Sequence, residues 1–317
     1  MKKLIEEQNL ANTTNGVSKS NVVADRLEVL KTYKIYIGGQ FPRSESGRYY
    51  SPVNKNEKKL ANVCLSSRKD FRDAVIAARG AATGWSGRAA FNRGQILYRI
   101  GEMLEGRKAQ FIQELMLQDS TAEDAEQEVN LCIDRLIHYA GWCDKYQQLF
   151  SSVNPVASSH FNFSVLEPMG VVAIIAPQGS SLIGLISVIA PIIAGGNTCI
   201  VLASATKPLC AVTLAEVIHA SDVPGGVVNI LTGKPEELTS WFVEHMDVNA
   251  CVYCEKDLEV KRFLREKSAT NLKRIFIYDK IDWNTEAGQS PYFIMDTQEI
   301  KTTWHPIENI AGAGTGY

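Results

Sequence analysis

Residues 170–202, GVVAIIAPQGSSLIGLISVIAPIIAGGNTCIVL, are apolar almost throughout. A stretch of this kind either crosses a bilayer or lies inside a protein. Pro177, Gln178, Pro191 and the turn Gly195-Gly196-Asn197 cut it into pieces too short to span. It therefore reads as a buried β-α-β unit, with no membrane as partner.

The same pattern recurs downstream. Continuous apolar runs at 171–176, 198–202, 227–231, 250–253 and 274–278 alternate with helical stretches. Strands that do not alternate apolar with polar residues are buried on both faces, and intervening helices imply parallel pairing. The expected fold class is α/β, with a Rossmann-like parallel five-stranded sheet. A chain of 317 residues, 45% hydrophobic, has ample material for such a core.

Upstream, "YKIYIGG" and "SGRYYSPV" alternate around Gly38-Gly39 as a surface hairpin does. Three N-terminal helices follow. The first is capped at Ser66-Ser67 and carries Phe71, Val75 and Ala78 on one face. The second repeats Ile96, Ile100, Leu104, Phe111 and Leu115. The third gathers Glu123, Asp124, Glu126 and Glu128 at the positive end of its dipole. Residues 1–24 are polar and aperiodic and read as a disordered arm. The start has no apolar core ahead of Glu6 and Glu7, so no secretory leader is expected. "HFNFSVLEP" (160–168) alternates like a half-exposed strand. After Asp279 a polar linker leads to "TQEIKTTWHPI" (297–307). "GAGTG" in the 307–317 tail lacks the helix that a phosphate loop needs, so the tail reads as flexible.

A net charge of −2 gives no reason to expect nucleic acid as a partner. Seven cysteines at irregular spacing inside apolar runs suit reduced thiols in the cytoplasm. Cys251 and Cys254 form a lone CxxC without the second ligand pair that zinc requires, and no metal site is expected. His138, His160, His219, His245 and His305 are scattered, with no catalytic or ligand spacing.

"YKIYIGGQFPRSESGRYYSPVN", "GWSGRAAFNRGQILYRIGEMLEGR", "EPMGVVAIIAP", "IAGGNTCIV" and "VPGGVVNILTG" resemble, in order, the aldehyde dehydrogenase superfamily. The resemblance covers residues 25–280, and the closing "TQEIKTTWHPI" resembles the family's oligomerisation strand. It implies an NAD(P)-binding domain over 25–156 and 170–282, and a small β oligomerisation hairpin from 157–169 and 293–306. It also implies that the catalytic domain, which the family carries between these parts, is absent after "RIFIY".

Family chemistry requires a thiolate, an oxyanion amide, a carboxylate base and NAD(P). No cysteine matches the nucleophile. Gly179 stands at the oxyanion asparagine, and Gln178, one residue off, is expected to point elsewhere. Tyr278 stands at the base, and Glu286 in "EAGQSP" reads as a coincidence of the linker. In the ribose-binding loop the family's Lys and Glu are replaced by Leu202 and Ala205, and restoring both should recover part of the coenzyme affinity. Glu255 replaces a glycine of the pyrophosphate loop. Ala176, Pro177, Gln178, Ser204 and Gly233 are the remnant of the coenzyme site, so NAD(P) binding is expected to be weak or lost.

Phe163, Val165, Ile300, Thr302 and Trp304 are the expected oligomerisation residues, with Trp304 as anchor. An alternative has the last strand folding back on its own sheet. Removing the catalytic domain is also expected to bare apolar surface. The resemblance is nearest to the non-catalytic second module of two-module members, found in bacteria as a separate chain. It implies a non-catalytic subunit that assembles with a catalytic aldehyde dehydrogenase or with itself. The alternatives are an NAD(P)-dependent aldehyde oxidoreductase active only within a hetero-oligomer, and a nucleotide sensor of weakened affinity.

Overall fold

The computed structural model describes residues 29–307. The expected arm (1–24) and, apart from Ile307, the tail (307–317) lie outside them.

The apolar runs form the expected sheet. Strands β6 (Val171–Ile175), β7 (Thr198–Leu202), β8 (Val228–Leu231), β9 (Ala250–Tyr253) and β10 (Arg274–Ile277) lie in the order β10-β9-β6-β7-β8, all parallel. Every residue of β6 to β9 is buried, which is why these strands show no alternation. Edge strand β10 departs from the expectation. Arg274 is exposed and its other residues are half-buried, because nothing pairs with its outer side among the described residues.

From β6 the chain runs outward to β7 and β8, then returns to the other side for β9 and β10. The carboxyl ends of β6 and β9 therefore flank the point where strand order reverses, the usual ligand crevice of such sheets.

The first expected helix, α1 (Arg68–Ser86), has a complete capping box, with Ser67 accepting from Asp70 N–H and Asp70 accepting from Ser67 N–H. The second run is two helices, α2 (Ala90–Gly106) and α3 (Lys108–Leu117), broken at Arg107. All five of its apolar positions are buried nonetheless. The third, α4 (Ala122–Trp142), is capped by Thr121. Short helix α5 (Tyr146–Phe150) follows. Helix α6 (Ile183–Ala194), after β6, is buried at all twelve residues. It is followed by α7 (Leu209–His219), α8 (Pro235–Glu244) and α9 (Leu258–Ser268).

The N-terminal hairpin is not formed as expected. Gly38 and Gly39 do make a tight turn with positive φ, 60° and 80°, closed by an Ile37–Gln40 bridge. However, β1 (Thr32–Tyr33) and β2 (Tyr49–Tyr50) pair with β3 (Asn62–Cys64), not with each other. Tyr36 instead bridges Ile230, anchoring the segment to the main sheet.

Strands β4 (Ser152–Asn154), β5 (His160–Pro168) and β11 (Gln298–Pro306) make a second sheet, ordered β11-β5-β4. Sequence reading missed β4. It also extended the last strand to 293–306, where residues 292–296 are in fact helix α10 (Tyr292–Asp296). Strand β11 does fold back on its own chain, pairing antiparallel with β5 along its length, yet its outer edge stays unpaired among the described residues.

The register separates the expected oligomerisation residues. Ile300, Thr302 and Trp304 lie opposite Leu166, Ser164 and Asn162 on one face, whereas Val165 and Phe163 share the other face with Lys301 and Thr303. The five do not form one surface. Leu166 and Asn162 are buried against the body, while Ile300 and Trp304 overhang it, 62% and 57% exposed.

The polar linker after Asp279 is packed against the body. Trp283, Phe293 and Ile294 are buried in the main core beside Tyr278. No helix among the described residues is long and apolar enough to cross a membrane.

Candidate functional site

The crevice is built from the loops that leave β6, β7 and β9, and Gln178 holds all three together. Its backbone N–H donates to Glu255 Oε1 at 2.6 Å. Its carbonyl oxygen accepts from Ser204 Oγ at 2.7 Å and Thr206 Oγ1 at 2.9 Å. Its side-chain Oε1 accepts from Ala205 N–H at 2.8 Å, and Nε2 donates back to the Ala176 carbonyl at 2.9 Å. The side-chain amide is thus turned onto its own loops.

The structure brings Ala176, Pro177, Gln178 and Ser204 together. Ala176, Pro177 and Ser204 are buried, and Gln178 is half-buried. Gly233 stands apart from them. At φ 148° its absent side chain makes room for Ser66 N–H and Leu65, so it serves the packing of β3 against the β8–α8 loop. Leu202 is fully buried in the second face of the sheet core, among Ile175, Leu231 and Tyr253. A lysine there would be placed inside the protein, which argues against the restoration expected of Lys at 202.

A second carboxylate was missed. Glu128 Oε1 accepts Leu182 N–H at 3.1 Å and Ile183 N–H at 2.9 Å, taking the amides that open helix α6. From the sequence Glu128 was read only as part of the α4 dipole pattern. A tertiary cap from 54 residues away leaves no local signal. At two places, therefore, backbone donors that would attract an anion are already bound to carboxylates of the chain.

The remaining candidates lie apart from the crevice loops that Gln178 joins or are held by neighbours. All seven cysteines are free and buried. Burial raises the thiols of Cys132, Cys199, Cys210 and Cys254, and pushes Cys143 and Cys251 to about 12, which opposes thiolate formation. No group of three or more His, Cys, Asp or Glu among the described residues is placed to hold a metal. Tyr278, at the base position, donates its hydroxyl to Asp296 Oδ2 at 2.8 Å, and burial raises its pKa well above the usual phenol. Glu286 lies exposed in a 3-10 turn, Glu286–Gln289.

A sequence profile of the "Aldehyde dehydrogenase family" matches residues 41–279. The chain belongs to the aldehyde dehydrogenase family. It is 26% identical to the mitochondrial 10-formyltetrahydrofolate dehydrogenase of Homo sapiens over 93% of this chain and 32% of that protein. It is 30% identical to the omega-crystallin of Enteroctopus dofleini over 77% of this chain and 50% of that one. Among solved structures, HpcC from Thermus thermophilus superposes with a TM-score of 0.74 at 25% identity, over 78% of this chain and 48% of its own. An aldehyde dehydrogenase of Bacillus cereus, solved as an NAD+ complex, shares the fold with a TM-score of 0.72 at 23% identity, over 78% and 50%. The chain spans between about a third and a half of the curated relatives it matches.

Proposed function

We propose that this chain is a non-catalytic member of the family, acting in the cytoplasm as a subunit of an assembly. Its partner is a catalytic aldehyde dehydrogenase or a second copy of itself. The observation that carries the reading is the Glu255 carboxylate seated on Gln178 N–H at 2.6 Å. NAD(P), the coenzyme implied by the family, does not fit this crevice. Gln178 N–H is already bound to Glu255, and the amides that open α6 are bound to Glu128, so neither is open to a phosphate. Charge-assisted hydrogen bonds are worth about 1.5–3 kcal/mol each, so exchanging two of them for an anion amid like charge removes most of a dinucleotide's affinity.

The assembly surface in this reading is the unpaired edge of β11 with the overhanging Ile300 and Trp304. An exposed strand edge beside large apolar side chains is normally covered by another chain. Two measurements test the proposal. Calorimetric titration is expected to give NAD+ binding no tighter than about millimolar. Purification from the native host is expected to bring along an aldehyde dehydrogenase, or light scattering to give a dimer. Micromolar NAD+ binding, or a monomer that captures no family member, would overturn it.

A further inference from the structure

Between α8 and α9, at the carboxyl ends of β6 and β9, lies a groove of about 640 Å³. That volume falls within the range of small-molecule sites. Ile175, Tyr253, Val260 and Phe263 give it an apolar floor. Glu236, Glu255, Asp257 and Glu259 line it with four carboxylates against the single ammonium of Lys256.

Two helices begin at this groove, and helix starts ordinarily favour anions because their first N–H groups are unpaired. Here several of those donors are taken or missing. Asp257 Oδ1 accepts from Glu259 N–H at 2.9 Å and Val260 N–H at 3.1 Å, closing the start of α9. Helix α8 opens with Pro235, which has no N–H to offer, and places Glu236 and Glu237 in its first turn. Glu255 takes Gln178 N–H. An anion entering the groove meets four like charges and finds these donors occupied, whereas a cation meets a carboxylate on each wall.

We propose that this groove binds a small organic cation with a flat apolar body and a protonated amine. The body would lie on Tyr253, Val260 and Phe263, and the ammonium would sit between Glu236 of α8 and Glu259 of α9. The inversion of charge preference in the crevice of a dinucleotide-binding fold is thus the source of a different ligand chemistry. The site shares with the proposed function only the spent N–H groups, and it stands whether or not the chain assembles with a partner.

The test is a matched pair of probes, tryptamine and indole-3-propionate, which differ in the sign of the charge they carry. Amide NMR shifts and calorimetry would be followed with each, and with NAD+ as a third arm. Tryptamine is expected to shift amides of residues 235–244 and 253–263 and to bind about ten-fold tighter than the propionate at low salt. Raising the salt should shrink that preference, and Glu236→Gln with Glu259→Gln, both at exposed positions, should reduce it several-fold without unfolding the chain. Equal or tighter binding of the propionate, no shift with either indole, or tryptamine shifts elsewhere would overturn the cation site. NAD+ binding in the groove at micromolar affinity would overturn this site and the proposed function together, whereas the indole outcomes bear on the cation site alone, so the two failures are distinguishable.

Discussion

The guanidinium of Arg135 on α4 donates through Nη1 to the Trp283 carbonyl at 2.6 Å and to Ser187 Oγ at 2.5 Å on α6. Nη2 reaches the Thr285 carbonyl at 3.1 Å. Arg135 is fully buried and none of these partners is a carboxylate, so burial lowers its pKa from the usual arginine value. The side chain ties the connecting segment to two helices at once. Gly288 is part of this fit, since a Cβ there would lie 3.0 Å from Nη1 and 2.9 Å from the Trp283 carbonyl.

Replacing Arg135 with Met keeps much of the volume and strands the Trp283 carbonyl, while the Thr285 carbonyl keeps the Gly288 N–H and the Ser187 hydroxyl still donates to the Ile183 carbonyl. The desolvation cost of a buried charge disappears at the same time, so the net loss should be about 1–3 kcal/mol. Urea denaturation measures it. Hydrogen exchange should quicken at residues 281–290 while β6 and β7 keep their protection. Unchanged exchange in that segment would show that Arg135 does not hold it.

Leu202→Lys is expected to damage the fold without restoring coenzyme binding. The side chain is fully buried, so an ammonium there should cost at least about 3 kcal/mol, read by denaturation. Glu255→Gly is the informative change, since it frees Gln178 N–H while the Ser204 and Ala205 contacts remain. It should raise NAD+ affinity by about ten-fold, the loss of one opposing charge-assisted bond. If Glu255→Gly leaves that affinity where it was, the carboxylate is not what keeps the dinucleotide out.

Trp304→Ala should weaken the assembly by about 2–4 kcal/mol, the usual range for an aromatic at the centre of a contact. The side chain is 57% exposed and its ring makes an edge contact with His160, centroids 5.9 Å apart. Because Phe163 lies on the opposite face, Phe163→Ser should leave the oligomer intact. Light scattering of both variants decides which face is used, and dissociation by the Phe163 change alone would reassign it.

Lys273 is buried and donates to the His245 carbonyl at 2.7 Å and the Phe242 carbonyl at 3.3 Å, at the end of α8. Burial lowers its pKa from 10.5 to about 8. Between those two values the unfolded chain holds a proton that the native protein has released, so the group's contribution to stability rises with pH across that window. Below about pH 8 the buried ammonium is present and its full cost remains. Relative to Lys273→Met, the wild type should gain up to about 3 kcal/mol between pH 8 and 10.5 in parallel denaturation curves. A constant difference between the two proteins would show that Lys273 titrates normally.

Much of the architecture was legible because its determinants are local. Continuous apolar runs mark doubly buried parallel strands, and Ser67 with Asp70 marks the start of α1 by a bond over three residues. That Leu202, Ala205 and Glu255 differ in kind from the residues the family resemblance implies at those places was legible too. The break at Arg107 was not, because both halves keep their apolar faces at helical spacing through it. Nor was the pairing of β1 and β2 with β3, since a short alternating segment does not name its neighbour.

The sequence by itself determined the family and the parallel sheet. Tertiary structure alone decided which distant groups meet, at the crevice and elsewhere. Glu128 reaches α6 across 54 residues, Glu255 reaches Gln178 across 77, and Arg135 reaches Trp283 across 148. It also decided that Phe163 and Trp304 face opposite ways, because alternation assigns a residue to one of two faces but only the register between β5 and β11 says which faces coincide. A hydrogen bond between distant residues depends on where folding carries them, and neither partner's chain neighbours record it.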